Sequence, residues 1–349
     1  MDREIHLNKP KKLKRGDKVA TVSLSWGCAG EPDVRWRYDL GAERLRSEFG
    51  LQAVAAPHSL RGEAYIRDHP EARAGDLMAA FADPSVKGII ANIGGNDSIR
   101  MLPYIDFDVI RNNPKVFIGY SDIMSCHLMC LKAGLATFYG ANLLTTVAEP
   151  RGMHPYSRYW LQKALFESYP IGSVAPPDEF TCDATEYANP NQVKQYHAHA
   201  GYLCLQGTGR ATGRLFGGHI LDLRQRRELE QAGLLDSFYQ EGAILFLEDI
   251  VECVKPDDLA EFLRWLGGEG ILQRLNGLLF GRFDQYPEDP RYRTIITRVV
   301  GGEFGLPNLP ILYDLPFGHT SPICVMPYGA MAQIDCDSAA FSILEGGVV

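Results

Sequence analysis

Residues 115–135, KVFIGYSDIMSCHLMCLKAGL, form the stretch around which the rest of this chain is organised. The apolar run at 116–118 predicts a strand, and GYSD at 119–122 predicts a sharp turn. From Ile123 onward, apolar residues recur at close to the 3.6-residue spacing that predicts a helix. The stretch therefore predicts a strand, a turn and a helix in succession, with a serine in the turn.

Ser121, in this turn, has two interpretations. A serine at a strand-to-helix turn is how an α/β hydrolase lifts a nucleophile clear of its sheet. The helix N-terminus supplies free N–H groups and a partial positive charge, and both favour an oxyanion. The match to the G-x-S-x-G pattern is incomplete, because Ile123 stands where the second glycine is expected. An ordinary N-cap serine explains the same residue, so the stretch alone leaves both interpretations open.

Length, charge and cysteine usage limit the class of protein. The 349 residues indicate two domains, and the net charge of −8 argues against nucleic acid as the main partner. The eight cysteines are scattered without a C-x-x-C pair, which is typical of a reduced protein. The first residues lack the apolar segment of a secretory signal, and no run of about 18 apolar residues could span a membrane. We therefore expect a cytoplasmic protein that binds neither nucleic acid polymers nor membranes.

Strand and helix patterns alternate through the first half of the chain, which predicts an α/β fold with a parallel sheet. Ligands of such sheets bind at the carboxyl ends of the strands. Gly94-Gly95 and the turn containing Ser121 are both such ends, and this convergence favours a site there. The predicted strands are 18–25, 51–56, 86–93, 116–118 and 136–139, and the predicted helices are 36–49, 70–81 and 98–104.

The second half predicts a separate unit. We expect an N-terminal α/β domain at 1–165, a linker and overhanging loop at 166–206, and a C-terminal domain at 207–349. In the loop, His197 and His199 suit either a metal or, more simply, the protein surface. The C-terminal patterns predict a glycine-rich turn at 213–219, strands at 242–247, 275–280 and 310–315, helices at 256–266 and 291–300, and a closing hairpin at 330–334 and 340–344.

Two strands of the second unit end in groups that suit a catalytic serine. Glu248 follows five apolar residues, and His319 lies in a turn after another apolar strand. Each alone is also typical of an ordinary cap, ion pair or loop histidine. Together they have a chemical logic, because a serine needs a base and an imidazole needs an acceptor on its other nitrogen. The order Ser121, Glu248, His319 is the chain order of α/β hydrolases.

Three short motifs carry a resemblance to a known family. GYSD at 119–122, LFLED at 245–249 and PFGHT at 316–320 resemble the signature segments of the LD-carboxypeptidase family of serine peptidases. That family includes the microcin C self-immunity peptidases, and the YIDFD run and the long loop resemble that branch. Further similarity lies at 13–25, 93–110 and 213–223.

The resemblance implies a parallel-sheet α/β domain followed by a mixed α/β, barrel-like C-terminal domain. It implies no metal and no organic cofactor, and it implies a homodimer. By motif, it implies a triad of Ser121 as nucleophile, His319 as base and Glu248 as its orienter, with an oxyanion hole at the N–H of Asp122 and the turn of Gly94 and Gly95.

The chain departs from the family pattern at two places. His219 stands where the family commonly has asparagine. The overhanging loop has no tryptophan at 170–205, whereas the microcin-immunity branch stacks tryptophans there on a nucleobase. The substrate-binding candidates are then Asn96, Tyr187, Tyr202 and His219.

The predicted activity is that of a serine carboxypeptidase or amidase cleaving an amide bond next to a free carboxylate. The expected substrate is a small peptidyl or aminoacyl nucleotide of the microcin C type. The alternative substrate is a murein tetrapeptide that loses a terminal D-Ala. The alternative of another class is a non-catalytic protein that binds ligands in the same cleft.

Overall fold

The computed structural model describes residues 7–220, 226–231, 233–235, 240–250, 253–283 and 287–349. Residues 221–223, the end of the segment 213–223 named above for its similarity, therefore lie outside the described part. Two large sheets organise the chain, one of six strands and one of eight. The predicted α/β fold, with a parallel N-terminal sheet and a mixed second domain, is confirmed.

The first sheet has the strand order β14-β5-β4-β3-β1-β2. Its first five strands in the chain pair in parallel, and only β14, from the C-terminal half, pairs antiparallel. The elements are β1 Lys18–Val22, α1 Arg35–Phe49, β2 Gln52–Ala55, α2 Glu63–Asp68, α3 Pro70–Ala82, β3 Val86–Ala91, a 3₁₀ helix Ser98–Tyr104, α4 Phe107–Asn112, β4 Val116–Gly119, α5 Met124–Lys132, β5 Phe138–Tyr139 and β14 Met326–Pro327.

Strand β4 shows why this sheet is parallel and buried. Every residue of β4 is buried, as expected for a strand covered by helices on both faces. Because side chains alternate between faces, Val116 and Ile118 pack into one hydrophobic core and Phe117 packs into the other. Ser121 therefore lies two residues beyond the carboxyl end of a fully buried strand.

Residues 166–206, predicted as linker and loop, also contribute to the second sheet. After α6 Pro155–Phe166 come β6 Gly172–Val174 and β9 Leu203–Gln206, which are the two outermost strands in its order. Between them, β7 Glu179–Phe180 and β8 His197–Ala198 form a small antiparallel pair of their own.

The second sheet has the order β6-β16-β15-β10-β11-β12-β13-β9. Its four central strands, β10 to β13, are parallel, and the outer pairings are antiparallel. The remaining elements are β10 Arg210–His219, α7 Arg226–Gln231, β11 Ile244–Glu248, α8 Pro256–Gly268, β12 Gly277–Gly281, α9 Arg291–Thr297, β13 Ile311–Leu315, β15 Met331–Asp335 and β16 Ala340–Ile343.

The predicted glycine-rich turn at 213–219 is wrong, because these residues belong to the ten-residue strand β10. The glycines serve close packing instead of a turn. At Gly217, with φ 149°, a Cβ atom would lie 1.8 Å from the carbonyl oxygen of Phe246 on the neighbouring strand. At Gly218 it would lie 2.4 Å from the sulfur of Met124 on α5. Small residues here let β10 approach both its partner strand and the N-terminal unit.

Two helix predictions also change in detail. Residues 98–104 form a 3₁₀ helix containing Pro103, and the helix predicted at 291–300 continues from Thr297 as a π-helical segment to Glu303. Among the described helices, none combines the length and the apolar character needed to cross a membrane.

Candidate active site

Ser121 lies at the turn between β4 and α5 in a constrained conformation. Its φ angle is 66°, in the left-handed region that non-glycine residues rarely adopt, and its side chain is buried. The short 3₁₀ turn that it opens has no side-chain cap, and neither does α5. The Ser121 hydroxyl therefore does not act as an N-cap. Strained residues held by buried surroundings are typical of functional sites.

A chain of hydrogen bonds joins three residues that lie far apart in the sequence. Ser121 Oγ lies 3.0 Å from His319 Nε2. On the other side of the ring, His319 Nδ1 lies 2.8 Å from Glu248 Oε2. The backbone N–H of His319 donates to the same oxygen at 3.1 Å. If Nδ1 carries the proton, Nε2 presents its lone pair to the serine hydroxyl, which is the arrangement that general-base activation needs.

Glu248 is the last residue of β11 and is fully buried, so its ionisation depends on its neighbours. Burial alone would raise the pKa of this carboxyl. Attraction to His319 and the hydrogen bonds from His319 and Tyr139 outweigh burial and hold the pKa of Glu248 down at about 2. Glu248 is therefore an anion at any pH where an imidazole beside it needs orienting or stabilising.

Tyr139 is a site residue that sequence reasoning missed. Its hydroxyl donates to Glu248 Oε1 and accepts the backbone N–H of Ser121 at 3.1 Å. Burial raises the pKa of Tyr139, which keeps the phenol protonated and able to donate. The available signal was its position at the end of β5, the strand next to β4, since neighbouring parallel strands end at the same edge.

The predicted oxyanion residues lie beside the serine. A Cβ atom at Gly94 would be 2.7 Å from Ser121 Cβ and 3.3 Å from the backbone nitrogen of Asp122. The neighbouring turn is held by Ser25, whose hydroxyl accepts the backbone N–H of Asn96 at 3.0 Å. The Gly94 backbone and the Asp122 amide thus flank one side of the serine hydroxyl, while the Asn96 side chain is exposed.

His219 adds a second histidine to the site. It ends β10 directly opposite Glu248, its ring centroid lies 5.0 Å from that of His319, and its Nε2 lies 3.1 Å from Asp249 Oδ1. Among the described residues, His219, Glu248 and His319 form a group whose ligand atoms lie within 4.8 Å of one another, close enough to approach a metal ion together. Glu248 already accepts three hydrogen bonds there, so a metal would have to compete with them.

A cavity of about 210 Å³ opens from His319 beneath the overhanging loop. Its described lining comes mainly from segments 145–149, 182–194 and 318–323. Tyr187 lines it and packs edge-on against Trp26, with ring centroids 5.1 Å apart.

Two other loop residues lie away from this cavity. Tyr202 is buried, is not part of the described lining, and donates its hydroxyl to the Val174 carbonyl at 3.0 Å. The prediction of a surface histidine is wrong for His199, whose side chain is only 3% exposed. The Gly201 N–H donates to its Nδ1, so its Nε2 donates to the Asp314 carbonyl at 3.1 Å. This hydrogen bond connects the overhanging loop to β13 near the end of that strand.

Comparison with known proteins matches both halves of the chain to one family. Residues 19–140 match the LD-carboxypeptidase N-terminal domain, and residues 212–334 match the LD-carboxypeptidase C-terminal domain.

Individual relatives align over nearly the full length. A probable murein peptide carboxypeptidase of Bacillus subtilis is 29% identical over 342 residues, which are 97% of this chain and 95% of the relative. The microcin C7 self-immunity protein MccF of Escherichia coli is 24% identical over 95% of this chain and 94% of its own. The crystal structure of an MccF-like protein from Streptococcus pneumoniae in complex with AMP has a TM-score of 0.82 and 32% identity, covering 94% of this chain and 98% of that one.

Proposed function

This chain belongs to the LD-carboxypeptidase family of serine-type hydrolases, and we propose that it uses Ser121, His319 and Glu248 as a catalytic triad. The observation that carries the proposal is the continuous path of hydrogen bonds from Ser121 Oγ through the imidazole to the buried carboxylate. Each link has the length of a normal hydrogen bond, and the residues occur in the order expected from the sequence.

The geometry supports a two-step acyl transfer. Ser121 Oγ attacks the carbonyl carbon of the scissile amide and passes its proton to His319 Nε2. Glu248 stabilises the imidazolium through Nδ1, and the Asp122 amide with the Gly94-Gly95 turn receives the negative charge on the carbonyl oxygen. His319 then protonates the leaving amine. A water molecule, deprotonated by the same nitrogen, frees the acyl group from the serine.

The proposed reaction is cleavage of an amide bond next to a free carboxylate, with a peptidyl or aminoacyl nucleotide as substrate. Likeness to the MccF-like protein in complex with AMP supports this choice, and Tyr187 places an aromatic side chain, of the kind that stacks on a base, in the cavity wall. A murein tetrapeptide is the second candidate, because the 29% identical relative is a probable murein peptide carboxypeptidase.

We also propose that the protein is cytoplasmic and forms a homodimer.

An active-site serine probe together with a substrate panel tests the proposal. We expect a fluorophosphonate to label the wild type at Ser121, and we expect hydrolysis of an aminoacyl sulfamoyl nucleotide, a murein tetrapeptide or both. Ser121→Ala should lose both label and turnover. Ser47→Ala, which alters an exposed serine on α1, should lose neither. A wild type with no adduct and no turnover would instead support the non-catalytic cleft-binding protein.

A further inference from the structure

The cavity beside His319 contains an ion pair that the proposed triad does not use. Lys194 Nζ lies 2.8 Å from Glu149 Oε1, and the two side chains are only 9% and 13% exposed. Both residues line the cavity. Removing charges from water is costly even when they are paired, so a largely buried pair in a ligand cavity is a candidate for a functional role.

The pair retains hydrogen-bonding capacity toward the cavity. An ammonium has three donors, and Lys194 uses one on Glu149 and one on the Thr185 hydroxyl at 3.1 Å. The third donor has no acceptor among the described residues. On Glu149, Oε1 is occupied, while Oε2 accepts no hydrogen bond from the described residues. One donor and one acceptor, held side by side, thus remain for a ligand.

Thr145 adds a polar group to the same cavity. Its side chain is 7% exposed and lines the cavity. Its hydroxyl interacts with the buried Tyr120 phenol, and this interaction opposes the rise in pKa that burial gives that tyrosine. A hydroxyl can donate one hydrogen bond and accept two, so Thr145 keeps hydrogen-bonding capacity for a ligand group in the cavity.

The charges of the lining select the kind of ligand. Among its described residues are two carboxylates, Glu149 and Asp183, and one lysine ammonium, Lys194. The guanidinium groups of Arg37 and Arg44 also attract Glu149, so the Glu149–Lys194 pair offers both signs of charge side by side in surroundings that are not purely negative. A group carrying both an ammonium and an acidic centre would satisfy Glu149 Oε2 and the free donor of Lys194 at the same time, with each charge opposite its complement.

We propose that the Glu149–Lys194 pair and the Thr145 hydroxyl form a subsite for a zwitterionic group of the substrate. The ammonium of that group binds Glu149, and its acidic centre binds Lys194 and Thr145. The assignment rests on the proposed function and specifies its substrate class. Two substrates carry this chemistry: a peptide whose side chain ends in an amino-acid head group, and an aminoacyl sulfamate.

Binding measured in the Ser121→Ala background tests the subsite without requiring turnover. The probes are tetrapeptides that differ only in the side chain before the scissile bond, which ends in ammonium plus carboxylate, in ammonium alone or in carboxylate alone. An aminoacyl sulfamoyl nucleotide is the fourth probe. Calorimetry should give at least one zwitterionic probe a Kd about ten- to a hundredfold below those of the singly charged peptides, the range of hydrogen bonds between charged groups.

The variants that remove the subsite are Glu149→Gln, Lys194→Gln and the double change. The double variant removes both members of the ion pair together, so it serves if either single variant fails to fold. We expect the preference to fall below about threefold in the double variant. Lys163→Gln, which breaks the ion pair between Lys163 on α6 and Glu167 directly after it, is the matched control and should keep the full preference.

Two failures are distinguishable. Equal Kd values for all four probes, or a preference that survives in the double variant, would overturn the subsite even if wild type hydrolyses its substrates. A preference that disappears in the double variant, without Ser121-dependent hydrolysis by wild type, would support the subsite and overturn the proposed function. The zwitterionic probe that loses affinity in the double variant shows whether the group belongs to a peptide side chain or to an aminoacyl sulfamate.

Discussion

Tyr139 and Glu248 connect the two sheets at the site. The phenol of Tyr139, at the end of β5 in the first sheet, donates to the carboxylate of Glu248, at the end of β11 in the second. The same phenol accepts the backbone N–H of Ser121 at 3.1 Å. One hydroxyl therefore sets the position of the carboxylate and of the serine backbone together.

Replacing Tyr139 with Phe should lower kcat by roughly ten- to a hundredfold, because a hydrogen bond to a charged group contributes about 1.5–3 kcal/mol. Steady-state kinetics on the substrate found in the panel provide the measurement. Tyr292→Phe is the matched control, since it removes a buried phenol that donates to a backbone carbonyl, that of Val254, instead of to a carboxylate. A kcat within twofold of wild type for Tyr139→Phe would show that the tyrosine is not needed to position Glu248.

Replacing Ser121 with Ala should abolish activity while leaving the fold intact. Triad members act as a unit, so the expected loss in kcat is on the order of 10⁴-fold or more. Circular dichroism and the unfolding midpoint would verify the fold. A correctly folded Ala variant that keeps a tenth of the wild-type activity would rule out Ser121 as the nucleophile.

The adjacent carboxylates Glu248 and Asp249 should differ in their effects. Glu248 accepts both N–H groups of His319, whereas Asp249 pairs with His219. Glu248→Gln should therefore reduce turnover by orders of magnitude, because a neutral amide cannot stabilise the imidazolium. Asp249→Asn should reduce it much less. The reverse order in a comparison of kcat values would assign the orienting role to Asp249.

His127 should make stability depend on pH between about 4 and 6.5. This buried imidazole bonds the Gly119 carbonyl at 3.0 Å and the Thr137 hydroxyl at 2.9 Å. Burial lowers its pKa from 6.5 to about 4, although the bond to Gly119 opposes the shift. The unfolded chain therefore binds a proton first as pH falls, so stability is full above pH 6.5 and is lost toward pH 4.

Denaturant unfolding of wild type and His127→Gln at pH 7 and pH 4.5 would measure this contribution. The stability difference between the two proteins should shrink at the lower pH by on the order of 2 kcal/mol. A difference that stays constant with pH would mean that His127 does not titrate in this window.

Replacing Tyr187 with Ala should raise KM for an aminoacyl nucleotide more than it lowers kcat. Stacking on an aromatic ring contributes roughly 1–3 kcal/mol per base and acts about equally on the ground and transition states. Tyr202→Phe is the control, because Tyr202 is buried away from the cavity. An unchanged KM in Tyr187→Ala, with efficient release of D-Ala from a murein tetrapeptide, would favour the murein substrate.

The sequence by itself determined the α/β fold class and pointed to the residues proposed as the triad. Both depend on local patterns. An apolar run such as 116–118 has to be buried, and a turn after it has to place Ser121 at the edge of the sheet. The order of the motifs at Ser121, Glu248 and His319 then predicted that the three side chains meet, because a catalytic serine requires a histidine and a carboxylate in hydrogen-bonding contact.

Only the tertiary structure decided what depends on distance between remote segments. Nothing in the local sequence of Tyr139 reveals that its hydroxyl reaches Glu248, 109 residues away. The glycines of β10 were predicted to form a turn. Their actual role is close packing against Phe246 and Met124, which belong to other elements and are not visible in the local sequence. The ion pair of Glu149 and Lys194 likewise joins residues 45 positions apart in the chain. Sequence patterns carry periodicity along one chain segment, whereas contacts, burial and hydrogen-bonding capacity arise only when segments meet.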